Sequence, residues 1–362
     1  MNRQQKRFKK KNIINILKHG IMVKYFNIPW PMWIDFRITY RCNLRCGYCD
    51  MPNMKFYEMN TDEVKKIIDK ISAPGRVILL TGGEPLVRKD IGEIVRYFVY
   101  HSDCEVRFNT NLILLKKRYD EIKDCDGFFF SLDGTKETHE KNKGKGSWKG
   151  VEEALEILHR DRRGKISMTV ITSNTTLDDI KFVLDICSKY EILPAFQQVR
   201  HYTMSKLSKQ MRPDTLNTIK IFEYLIQQRE KGFNMMNSKK GLIGQINLAK
   251  GTLKAHCYSG KLFCSIDSDG IVGLCFSRPR HKKFVNLLDD NIRFKDAIAA
   301  LDKVKPHTIR CSDCTCMAPI EFSLCNFVNM DVLLETYFSE KQYQTLEEQY
   351  IERIKKGFAA TG

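Results

Sequence analysis

The sequence predicts an α/β protein, a parallel sheet or barrel covered by helices. Six short apolar runs bounded by turn residues alternate with six amphipathic stretches. The order is strand then helix throughout, which is the connectivity of parallel units. Residues suited to chemistry gather where the apolar runs end, the rim on which such folds carry their sites.

Strands are expected at 32–39, 77–81, 105–110, 127–132, 166–172 and 194–199, and helices near 61–72, 90–101, 115–123, 148–160, 176–190 and 213–231. The alternation breaks at 232–256, a stretch richer in Gly, Asn and Lys, and a boundary is placed there. The expected organisation is a basic amphipathic segment at 1–31, the strand–helix unit at 32–235, a cysteine-rich unit at 236–330 and a helical region at 331–362.

The 362 residues suffice for a large core, and no stretch approaches the roughly 20 apolar residues of a membrane span. The N-terminus is basic without the apolar core of a secretory signal, so the protein is expected in the cytoplasm or on the cytoplasmic membrane face. Of 13 cysteines, three lie at 42–49 and seven at 257–325. Such clustering points to metal sites more than to disulfides. Cys104, Cys125 and Cys187 read as small buried apolar residues.

The net charge of +17 is concentrated near the start, where Arg3, Lys6, Arg7, Lys9, Lys10, Lys11, Lys18 and Lys24 meet no acid before Asp35. Ile13, Ile14, Ile16, Leu17, Ile21 and Val23 fall near helical spacing among them. This suits an anionic membrane surface, and equally a helix docked on the protein itself. Nucleic acid is suggested by charge alone, with no RNA-binding motif visible.

The first candidate site is Cys42-Asn43-Leu44-Arg45-Cys46-Gly47-Tyr48-Cys49, directly after the first strand. Three thiolates can hold three corners of a cubane iron–sulfur cluster and leave the fourth iron open, where electron-transfer clusters are closed by four cysteines. Zinc would ordinarily need a fourth Cys or His close by. Thr81-Gly82-Gly83-Glu84-Pro85-Leu86 ends the second strand, Asn109-Thr110-Asn111 the third, and Ser131-Leu132-Asp133-Gly134 the fourth, followed by His139 and Gly146-Ser147-Trp148.

This set resembles the radical SAM superfamily over residues 32–235: the C-x3-C-x2-C triplet with Tyr48 before its last cysteine, the GGEP turn, and the S-L-D-G, H, G-S-W series. Leu112 stands where the family's N-T-N-G has glycine. The resemblance implies a partial (β/α)6 TIM-like barrel. It implies a [4Fe–4S] cluster on Cys42, Cys46 and Cys49 whose open iron takes S-adenosylmethionine, and a low-potential donor such as ferredoxin or flavodoxin. Tyr48, Gly82, Gly83, Glu84, Asn109, Ser131, Asp133 and Gln198 are then expected around the S-adenosylmethionine, and the end of the fifth strand, at Val170 to Asn174, near its adenosine. His139 is expected to pin a loop.

Cys257, Gly270 and Cys275 resemble the opening of the SPASM and twitch extensions of that superfamily, with Asp269-Gly270 as a hairpin turn. Cys257, Cys275, Cys311 and Cys314 are expected to close one auxiliary [4Fe–4S] cluster. Cys264, Cys316 and Cys325 are further candidates, and a second auxiliary cluster remains open. A zinc ribbon is the competing reading.

The substrate is read as a lipid or another membrane-associated molecule, on the strength of the N-terminal segment. A ribosomal peptide undergoing crosslinking, epimerisation or oxidation is the alternative. A non-catalytic electron-transfer protein is the reading from another class.

Overall fold

A computed structural model describes residues 26–161, 164–199, 207–254, 257–275 and 284–304, with His19, Met22 and Val23 ahead of them. Its strands are β1 (Trp33–Arg37), β2 (Val77–Thr81), β3 (Glu105–Thr110), β4 (Gly127–Ser131), β5 (Gly164–Ile171), β6 (Leu193–Gln198), β7 (Phe263–Ile266) and β8 (Val272–Gly273). They form one sheet in the order β6-β5-β4-β3-β2-β1-β7-β8. The first six and β7 run parallel to their neighbours, and β8 returns antiparallel from β7. The sheet is open, with β6 and β8 as its edges among the described residues. This is the expected partial barrel.

The described helices of eight residues or more are α1 (Thr61–Ile71), α2 (Ile91–His101), α3 (Leu115–Ile122), α4 (Lys136–Lys143), α5 (Ser147–Arg160), α6 (Leu177–Lys189), α7 (Thr215–Glu230), α8 (Lys239–Ala249) and α9 (Phe294–Val304). Sequence reasoning missed α4, α8 and α9. The six expected strands and six expected helices each have a counterpart within two residues or so at either end.

Alternate residues of each strand face opposite sides. Ile34, Phe36, Ile78, Leu80, Phe128, Phe130, Ile171 and Phe196 join the core under the helices. Trp33, Val77, Phe129, Ile166, Ala195 and Phe263 fill the inner floor, joined by Val23. Val23 is buried there, and His19 stacks on Trp30 at 3.9 Å. The described end of the basic N-terminal segment therefore docks on the protein, while Phe26 and Ile28 are exposed.

The segment beyond 236 is joined to the sheet. β7 pairs with β1 from Trp33 opposite Phe263 to Phe36 opposite Ile266. Arg37 forms an ion pair with Asp267 at 3.0 Å, and the Tyr40 hydroxyl donates to the same carboxylate at 2.9 Å. The hairpin turn falls where expected, with Gly270 at φ 83°. No described helix is long and apolar enough to cross a membrane.

Candidate active site

The loop after β1 carries Cys42, Cys46 and Cys49, all partly exposed with free thiols. It lies directly on the loop after β2. Gly83 N donates to Thr39 O and Glu84 N to Arg41 O, both at 2.9 Å. A Cβ on Gly82 would stand 2.3 Å from Thr39 O, and one on Gly83 2.3 Å from Arg41 O. The two glycines are thus required first by the close crossing of two main chains, which sets the height of the cysteine loop.

Glu84 is fully buried, and its carboxylate is engaged by the chain. Leu86 N, Thr110 Oγ1 and Asn111 N donate to it at 3.1, 3.0 and 2.6 Å. Burial pushes its carboxyl up to about 7, against the pull of those donors. This corrects the expectation of a carboxylate facing a ligand: Glu84 ties the end of β3 to the end of β2. The tie orients Asn111, whose Nδ2 lies 3.8 Å from Cys42 Sγ and 2.8 Å from Asn43 Oδ1.

A second network hangs from β4. The Tyr48 hydroxyl donates to Asp133 Oδ2 at 2.7 Å. Lys143 Nζ donates to Ser131 Oγ at 2.6 Å and lies 3.7 Å from Asp133 Oδ2. Asp133 is fully buried and holds the Tyr48 hydroxyl through Oδ2. Burial opposes the charge on Lys143, but Asp133 and the three cysteine sulfurs outweigh it and hold the ammonium's pKa above its ordinary value. His139 pins the loop as expected, its Nδ1 accepting from Asp133 N at 3.3 Å. Burial, then Lys143, lowers the His139 pKa to about 3, so the ring is neutral.

Lys143 was missed because α4 reads as a polar stretch, Lys-Glu-Thr-His-Glu-Lys-Asn-Lys, without an apolar period. Its buried face is His139, Asn142 and Lys143. The next residue back, Asn142, meets the cysteine loop: Gly47 N donates to Asn142 O at 2.8 Å.

Asn109 sits on the inner face, with Nδ2 donating to Thr81 Oγ1 at 3.0 Å. Gln198 does not. It shares the helix side with Phe196, and its Nε2 donates to Gln245 O and Oε1 of α8 at 2.9 and 3.1 Å. Gln197, one residue back, takes the inner face with Ala195. Apolar burial on both faces of β6 hides that parity in the sequence.

Cys257 and Cys275 pack against the inner-floor cluster and are partly exposed. Cys264 faces the opposite way into the main core, where burial raises its thiol pKa far above normal. That orientation removes it from the candidate ligands. Cys311, Cys314, Cys316 and Cys325 lie outside the described residues.

The donor set at the first site fits a multi-iron cluster. Cys42, Cys46 and Cys49 share one loop, and after burial it is Cys46 and then Cys42 that raise the pKa of Cys49. Cysteine thiolates are the ligands that hold iron–sulfur clusters. Burial pushes the Cys42 thiol up to about 11 and Cys49 to about 12, and Lys143 is the cation that pulls both back.

Comparison with known proteins identifies the domain that carries the site. Residues 36–187 match the radical SAM superfamily. The chain carries a radical SAM domain. Enzymes with this domain use a [4Fe–4S] cluster and S-adenosylmethionine. A GTP 3',8-cyclase of Clostridium botulinum is 28% identical over 67% of this chain and 84% of its own length. A probable GTP 3',8-cyclase of Methanococcus maripaludis is 28% identical over 46% of this chain, which spans 60% of that relative's length. In fold, the domain and its flanks resemble Streptococcus suis SuiB bound to its precursor peptide SuiA, at TM-score 0.63 and 17% identity, covering 90% of this chain and 78% of SuiB.

Proposed function

We propose that this chain reductively cleaves S-adenosylmethionine at a [4Fe–4S] cluster held by Cys42, Cys46 and Cys49. Bound there, the pair supplies a one-electron cleavage whose 5′-deoxyadenosyl radical takes hydrogen from an unactivated carbon. The observation that carries this reading is the buried Lys143, fixed between the cysteine loop, Ser131 and Asp133.

Each of the chain's own groups has a part. Lys143 and Ser131 present an ammonium and a hydroxyl to the carboxylate of the methionine moiety. Main-chain groups at Gly82 and Gly83 serve its ammonium, since the Glu84 carboxylate is engaged elsewhere. Asn109 and Gln197 line the inner rim beside the nucleoside. Tyr48 is held by Asp133 and closes the cysteine loop on its inner side. An acidic low-potential carrier, ferredoxin or flavodoxin, supplies the electron. Cys257 and Cys275, with Cys311 and Cys314, are the proposed ligands of an auxiliary cluster.

For the substrate, polarity at the inner rim favours a peptide or nucleotide over an acyl chain. Arg37, Asp267 and Tyr40 form a charged edge where β1 meets β7, and Asn109 and Gln197 continue it. The curated relatives named for GTP chemistry act on a polar molecule as well. The lipid reading rests on the N-terminal segment, whose described end is docked on the protein.

Anaerobically reconstituted protein, reduced with dithionite, should form 5′-deoxyadenosine from S-adenosylmethionine. None forming while the iron is loaded defeats the enzyme reading. In a liposome flotation assay at physiological salt the protein should stay with the soluble fraction. Co-flotation with anionic vesicles would restore the membrane-associated substrate.

A further inference from the structure

Asn142 is fully buried, and three of its polar groups are accounted for differently from the fourth. Its carbonyl accepts from Gly47 N at 2.8 Å, and its own amide N–H lies within α4. Its Oδ1 accepts from Thr172 Oγ1 at 3.2 Å and from Asn174 Nδ2 at 2.9 Å. Its Nδ2 has no hydrogen-bond partner among the described residues. A buried amide donor left unmade costs about 1–3 kcal/mol, and here the amide cannot rotate away, because two donors hold its oxygen. Thr172 is itself fixed by Thr175, whose Oγ1 accepts from Thr172 N at 2.9 Å.

The donor lies where the cysteine loop, the end of α4 and the loop after β5 meet. Gly47, which precedes Tyr48, packs against Asn142 O and Met211, and Met211 O accepts from Ser173 N at 2.9 Å. Four segments of the chain meet around this donor, and none of their described residues gives it an acceptor.

We infer that Asn142 is a binding residue whose Nδ2 donates to a ring nitrogen or ribose oxygen of the adenosine moiety of S-adenosylmethionine. The inference rests on the proposal that S-adenosylmethionine binds beside the cysteine loop, and it adds a nucleoside contact from α4. Asn142 makes the site selective for the nucleoside part, whereas Lys143, the next residue, addresses the amino-acid part.

The test measures dissociation constants of S-adenosylmethionine, 5′-deoxyadenosine and L-methionine on the reconstituted protein, with iron content and melting temperature alongside. Asn142→Asp keeps an oxygen for Thr172 and Asn174 and removes the donor. At pH 8 it should weaken S-adenosylmethionine and 5′-deoxyadenosine about tenfold or more and leave methionine unchanged. Asn174→Ala keeps Asn142 but frees its amide to rotate. It should weaken the same two ligands by a smaller factor, and it covers the case in which Asn142→Asp does not fold. Unchanged 5′-deoxyadenosine affinity in both variants overturns the inference. So does an altered electron paramagnetic resonance signal of the cluster with unchanged nucleoside affinity, which would put the donor on a cluster sulfur. Failure of the parent protein to bind S-adenosylmethionine would instead defeat the proposed function itself.

Discussion

Lys143 Nζ lies 2.6 Å from Ser131 Oγ, on a side chain that is 4% exposed and also faces Asp133. A lysine this buried is held charged by its neighbours. Its ammonium is therefore a fixed positive charge beside three cysteines, and it lies one residue from the main-chain contact that positions Gly47.

Removing that charge should weaken the site without unfolding it. Lys143→Met keeps the packing volume and leaves Asp133 with the Tyr48 hydroxyl. S-adenosylmethionine affinity is expected to fall about 10- to 100-fold, the range of a charge-assisted contact worth about 1.5–3 kcal/mol. Lys143→Arg should recover part of it. Isothermal titration of the reconstituted variants reads both.

Glu84 is predicted to be a structural tie. Glu84→Gln places an amide NH2 against Asn111 N, donor against donor, since that amide now donates to Oε2. The cost is expected at about 1–3 kcal/mol, seen as a lower midpoint in urea unfolding. Iron loading should fall with it, because Asn111 also contacts Cys42 Sγ. A variant with normal stability and loading would show that the tie is dispensable.

Acid should destabilise the fold through His139. The ring is neutral in the folded protein, with its pKa lowered to about 3, and an unfolded histidine takes up a proton near pH 6.5. Between those values the unfolded chain binds more protons, so stability is lost as pH falls below about 6.5. His139→Asn can keep the acceptor for Asp133 N without titrating. The loss of melting temperature from pH 7 to pH 5 should be smaller in that variant than in the parent.

Leu112 adopts φ 71° and is buried. A left-handed conformation costs a non-glycine residue about 1–2 kcal/mol, and removing the buried leucine side chain costs about 2–5 kcal/mol. Both Leu112→Ala and Leu112→Gly should therefore lose stability. Glycine should be the milder of the two, reversing its usual rank below alanine. Equilibrium unfolding of the pair checks this, and alanine being the milder would refute the backbone argument.

The sheet was legible because its strands are apolar runs closed by Gly, Asn or Asp, as in Phe128 to Gly134. The three cysteines and the GGEP turn were legible as motifs, but the reason for the glycines was not: it is a crossing of two main chains distant in sequence. Helix α4 stayed hidden because its buried face is polar, and with it Asn142 and Lys143. Helix α8 stayed hidden behind Gly241 and Gly244, which weaken any helical signal. The choice between Gln197 and Gln198 turned on strand parity, which two buried faces conceal. The pairing of β7 with β1 joins residues more than 200 positions apart and leaves no local trace.

The central claim is that one iron at the cysteine loop is open to S-adenosylmethionine. The low-temperature electron paramagnetic resonance spectrum of the reduced protein, recorded with and without S-adenosylmethionine, tests it most directly. The spectrum should change on addition, and the responsive signal should be missing from Cys46→Ala. An iron-loaded, reduced protein whose spectrum is unchanged by S-adenosylmethionine would contradict the claim.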